Sequence, residues 1–146
     1  MNKTGEFFLS FLFVLIYYLI LDGTMIALYM GKKFGKVIKQ IQNGEVMKTR
    51  LIPGIICFLV LAFGITYFVL GKVRDDHIPE DSARYGLIFG LVVYAVYDLT
   101  NYSTFAKYDL QTTLTDILWG GILGFVVTLT AKYTMVAIKK HQARKI

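Results

Sequence analysis

Four apolar stretches, each about twenty residues long, take up most of this 146-residue chain. A water-soluble domain would break such runs into amphipathic elements, because each of its helices needs a polar face. A hydrocarbon core about 30 Å thick instead asks for about 20 helical residues per crossing. Backbone polar groups inside lipid must be satisfied within the segment, so the crossings are helices. The expectation is an all-α integral membrane protein. It forms a single domain, 1–146, as a four-transmembrane-helix antiparallel bundle with spans at about 7–30, 51–70, 85–106 and 112–138.

The connections carry their own information. The first apolar stretch exceeds a signal-peptide core and lacks a small-x-small cleavage pattern after it, so it reads as a retained span. In the basic segment that follows, Phe34, Val37, Ile38 and Ile41 recur at helical spacing, with Lys32, Lys33, Lys36 and Lys39 mostly on the other side. This predicts an amphipathic interfacial helix over about 32–42, its lysines toward anionic headgroups of the bilayer. An ordinary solvated basic loop is the plainer alternative. The second connection holds Asp75, Asp76 and His77, but adjacent residues project in different directions and no second His completes a metal set. It reads as a solvated loop, and neither a metal nor a cofactor is expected.

The net charge of +6 lies mainly in connections and tails, without the aromatic interleaving of a base-stacking surface. No nucleic-acid partner is expected. The basic residues divide almost evenly between the two faces, so the positive-inside rule leaves orientation open. The single Cys57 lies mid-span and reads as a small buried apolar residue.

Three acids interrupt the hydrocarbon pattern. A charge at span depth costs about 2.5–3.5 kcal/mol unless something solvates or pairs it. Threading the spans up and down places Asp22, Asp98 and Asp116 about 6–12 Å below one common face, at 1.5 Å per residue. Tyr94, Asp98 and Asn101 share one helix stripe, and Asp116 and Trp119 share another. Tyr97 completes the candidate polar cluster, although aromatics at this depth also serve as an interfacial belt. No lysine or arginine lies at that level, and packed carboxylates cannot all ionise in low dielectric. Such a cluster suits a proton, a cation or a polar headgroup. Equally, the same groups can act as interhelical glue, and Asp116 can be a helix cap if the fourth helix starts late.

Gly86 with Gly90, and Gly120 with Gly124, form two small-residue stripes that permit close helix contact. No nucleophile motif, paired-cysteine motif or phosphate loop is present, so the chain reads more readily as a non-enzyme.

The runs YDLTN (Tyr97, Asp98, Leu99, Thr100, Asn101) and DxxWG (Asp116, Trp119, Gly120), with the Leu21-Asp22 pair, closely resemble the signature of the DUF2177-type predicted membrane proteins. The resemblance implies a four-helix inner-membrane protein, and it supplies no reaction. Two departures stand out. Met25 and Ile26 stand where the family usually has a Trp after L-D, and Tyr108-Asp109 stands where it usually has W-P.

Two readings follow. In one, the chain is a small transporter, channel or polar-ligand-binding protein that uses Asp98, Asn101 and Asp116. It needs a cavity open to the face of the first connection. So small a chain also calls for a homo-oligomer, for which the glycine stripes offer surfaces. In the other, it is a structural or accessory subunit that docks a partner protein or a lipid-modifying enzyme.

Overall fold

The computed structural model describes residues 2–144; Lys145 and Ile146, at the end of the basic tail, lie outside the described residues. Among the described residues every regular element is helical. In order they are α1 (Lys3–Met25), α2 (Gly31–Ile41), α3 (Leu51–Gly64), α4 (Ile78–Asp81), α5 (Ile88–Thr104) and α6 (Leu110–Ala143). Wide i→i+5 turns extend three of them without breaking the helix: Ile26–Met30 joins α1 to α2, Ile65–Val69 continues α3, and Ser82–Leu87 leads into α5.

Three continuous helices, Lys3–Ile41, Leu51–Lys72 and Leu110–Ala143, are long and apolar enough to cross a membrane. The helix ending at Thr104 has the length, but Asp98, Asn101 and its tyrosines lower its apolarity. The outer surfaces agree with a lipid surround. Ile52, Ile56 and Val60 of α3 and Val92, Val96 and Leu99 of α5 are exposed, a distribution that water would penalise and hydrocarbon does not.

The helices pack antiparallel. Glu6 of α1 pairs with Lys139 of α6 at one end, Tyr17 hydrogen-bonds Thr134 at 2.7 Å further along, and Asp22 meets Trp119 toward the other end. Val14 and Tyr18 of α1, Ala62 and Ile65 of α3 and its extension, and Leu123 and Val127 of α6 form the buried centre. α3 lies against this centre with one side only, which is why Cys57 is exposed on its outer side rather than buried.

The amphipathic segment is not a separate helix after a break. The turn Ile26–Met30 carries α1 directly into α2. A Cβ at Gly31 would lie 2.5 Å from the Ile26 carbonyl oxygen, so the absent side chain makes room for this wide turn. α2 then lies against the connection between α5 and α6. Phe34 packs on Tyr108, Lys33 donates to Thr115 Oγ1 at 3.1 Å, and Lys107 donates to the Gln40 carbonyl at 3.1 Å.

At the opposite end, the segment expected to be a solvated loop is built around a buried acid. Asp81 is 3% exposed. It accepts from the Arg74 backbone N–H at 3.0 Å, from Nε at 2.8 Å and from Nη2 at 2.9 Å. The Arg74 side chain holds the Asp81 carboxyl well below the usual carboxylate range, and the Arg74 backbone N–H adds to this. Asp75 pairs with Lys132 of α6 at 2.7 Å, and this hydrogen bond lowers the Asp75 carboxyl in the same way.

Candidate functional site

The site begins with the close approach of α5 and α6. Gly86 would place a Cβ 2.5 Å from Thr128 Oγ1 and 2.6 Å from the Gly124 carbonyl. A side chain on Gly90 would strike the Gly120 backbone, and one on Gly120 would strike the Tyr94 ring. Backbone therefore meets backbone along this seam, as small-xxx-small helices permit. All four glycines are used inside the chain, so they are not the free surface for a second copy expected from the sequence.

One turn beyond Tyr94 on α5 and one turn before Gly120 on α6, the seam brings two acids together. Asp98 is fully buried and Asp116 is 6% exposed, with the two carboxyls adjoining. Asp98 Oδ1 accepts from the Tyr108 hydroxyl at 2.8 Å, while Oδ2 has no hydrogen-bond donor among the described residues unless the Asp116 carboxyl is protonated. Two carboxylates side by side in a low-dielectric surround repel, unless a proton or a cation lies between them. None of Asp22, Asp98 and Asp116 forms an ion pair among the described residues.

Asp116 is not a helix cap. α6 begins at Leu110, where Asp109 Oδ1 accepts from the Thr112 N–H at 2.8 Å, so Asp116 lies well inside the helix. Asp22 sits across the bundle on α1, 8% exposed, and accepts from Trp119 Nε1 at 2.8 Å. Trp119 is thus an interhelical donor rather than a belt residue. Tyr94 stands between these groups, its ring against Gly120 and its phenol near Tyr18 and Asp22. Tyr18 is fully buried, and its hydroxyl has no hydrogen-bond partner among the described residues.

Asn101 is half-buried, one turn nearer the connection. Tyr97 is 56% exposed and falls about 100° around α5 from Asp98, with its phenol toward Asn101 at the edge of the cluster. The groove on the face of the first connection is lined by Lys36, Lys39 and Lys107, and none of the three acids reaches it. The expected cavity does not open onto them there, since Tyr108 lies over Asp98 and Phe34 packs on Tyr108. Among the described residues no group of three or more His, Cys, Asp or Glu is placed to hold a metal ion.

A family model described as a predicted membrane protein, DUF2177, matches residues 7–133. The chain belongs to this family. Its match spans all three acids, Tyr108 and the glycine seam, and leaves out the end of α6. Neither a curated protein nor a solved structure matches the chain. Membership in DUF2177 and the long apolar helices together describe a multi-pass membrane protein. Tyr108 and Tyr18 are the site residues that sequence reasoning did not find. For Tyr108 the only signal is that it departs from the DUF2177 pattern between the third and fourth spans. For Tyr18, its place one turn before Asp22 is the signal.

Proposed function

We propose that this protein binds a proton or a small monovalent cation between Asp98 and Asp116, as a small transporter or channel does at an intramembrane acid pair. One observation carries the reading. A fully buried Asp98 has one oxygen held by Tyr108 and lies against the carboxyl of a second buried acid, Asp116, and neither forms an ion pair among the described residues. Two adjoining buried carboxyls are stable together only with a proton or a cation between them. In this reading the helix ending at Thr104 is also a span, the third of four in chain order and polar because it carries the site, and the protein resides in a bacterial inner membrane. Asp22, held by Trp119, and Tyr94 form the inner wall, and the Tyr108 hydroxyl covers the side nearer the surface.

A specific observation also favours a second reading. The Trp119–Asp22 bond and the tight α5–α6 seam are what a purely structural bundle, serving as an accessory subunit, would use. Infrared difference spectroscopy in lipid separates the two. A carboxyl band that responds to pH or to added sodium, and disappears in Asp98→Asn, supports the binding site. Carboxyl bands unchanged from pH 5 to about 9, in lipid with and without sodium, would sink it and leave the structural reading.

A further inference from the structure

The groove between the end of α2 and the α5–α6 connection has a volume of about 590 Å³ and is lined by Lys36, Lys39, Gln40, Asn43, Gly44 and Lys107. Three lysines line it from two separate elements. None of them pairs with a carboxylate among the described residues. Glu45, the one acid of residues 31–50, does not line the groove, and Asp109 nearby is committed to capping α6.

The walls are fixed. Lys107 donates one of its three N–H groups to the Gln40 carbonyl, which ties α2 to the connection and leaves two donors free. The floor is the turn in which Asn43 (φ 53°) and Gly44 (φ 101°) reverse the chain, closed by Gly44 N–H to the Lys39 carbonyl at 2.8 Å. One lysine is enough to complement the carbonyl end of a short helix. Three, around a preformed concavity, fit an anion that accepts several hydrogen bonds at once.

We propose that this groove holds the phosphate headgroup of an anionic membrane lipid. Its position decides for a lipid over a soluble phosphate. The groove lies at the end of the bundle where long apolar helices emerge. The chain leaving its floor runs through exposed Val46, Met47, Leu51 and Ile52 into α3. Those exposed side chains, next in the chain to the groove's floor, offer acyl chains an apolar contact beside a headgroup that the lysines hold. Phosphate pairs with lysine as a point charge, and basic side chains at this level draw anionic lipid to the surface. The site is independent of the acid pair and stands whether or not Asp98 binds a proton or a cation.

Native mass spectrometry of protein released from nanodiscs of phosphatidylcholine, with and without phosphatidylglycerol, tests the assignment. The wild-type protein is expected to retain bound phosphatidylglycerol in preference to phosphatidylcholine. The pair Lys36→Gln/Lys39→Gln is expected to weaken that retention by about tenfold or more, with its melting temperature unchanged. A control pair on the same segment outside the groove, Lys32→Gln/Lys48→Gln, removes the same charge and is expected to keep the bound lipid. Equal loss in the control would mean a diffuse basic surface and overturn the site. Displacement of the lipid by millimolar inorganic phosphate would overturn the lipid as its occupant.

Discussion

At the scale of single residues, Asp98 is the group whose surroundings constrain the rest. Its Oδ1 depends on a hydroxyl from a connection rather than from its own helix, so Tyr108→Phe removes one hydrogen bond and nothing else. The expected loss is about 1–2 kcal/mol of stability, read as a lower melting temperature in detergent. On the proposed function, the same substitution also shifts the infrared band assigned by Asp98→Asn. Trp119→Phe tests the other wall. It keeps an aromatic ring but removes the indole N–H and part of its volume, frees Asp22, and is expected to weaken the α1–α6 contact by at least as much, with little effect on the α5–α6 seam. The common depth of Asp22, Asp98 and Asp116 was legible by counting residues along antiparallel spans. The hydroxyl of Tyr108 was not, because ten residues and a chain reversal separate it from Asp98, and only the packed connection brings them together. Tyr97 shows the converse limit. It adjoins Asp98 in the motif, yet the helix turns it outward, so adjacency in a motif is no guide to a shared face.

At the scale of elements, the glycines decide where helices meet. Gly90→Ala places a methyl group into the Gly120 backbone and is expected to force the α5–α6 seam apart, costing about 1–3 kcal/mol or more. Gly54→Ala, with nothing within 4 Å of the added carbon, is the matched control and is expected to leave stability unchanged or slightly improved. Comparing the melting temperatures of the two in the same detergent checks the claim. The two stripes were readable as packing surfaces from spacing alone. Which partner they meet was not, since a stripe of small residues fits a neighbouring helix of the same chain and a second copy equally well. The wide turns were also hidden. An i→i+5 turn changes the period by a single residue, too little for any hydropathy pattern to register.

At the scale of the whole molecule, the two ends of the bundle are built differently. One end buries acids beneath a basic rim; the other closes on the Asp81–Arg74 and Asp75–Lys132 pairs. The second end predicts a pH dependence. Asp81 is held below its ordinary range in the fold, so its stabilisation is complete above the unfolded value of about 3.9. It is lost as pH falls through the folded value. Arg74→Gln is therefore expected to lower the melting temperature at neutral pH, and the gap from wild type is expected to narrow only in strong acid. A gap that closes already near neutrality would contradict the pairing. All-helical membrane character was plain from the apolar runs, because hydrocarbon thickness leaves few alternatives. This closure was not, because Asp81 and Arg74 stand in a stretch whose composition is that of any exposed loop.

The uninterrupted path from Lys3 to Ile41 has a mechanical consequence. With no loop between them, α1 and α2 share one hydrogen-bonded backbone, and α2 acts as a lever about 16 Å long pivoting at Ile26–Met30. A tilt of α1 by about ten degrees would swing the tip of that lever by about 3 Å. Phe34 and the Gln40 carbonyl ride on the lever, against Tyr108 and Lys107. Whatever grips its far end can thus exert torque on the tyrosine that covers the Asp98 carboxyl.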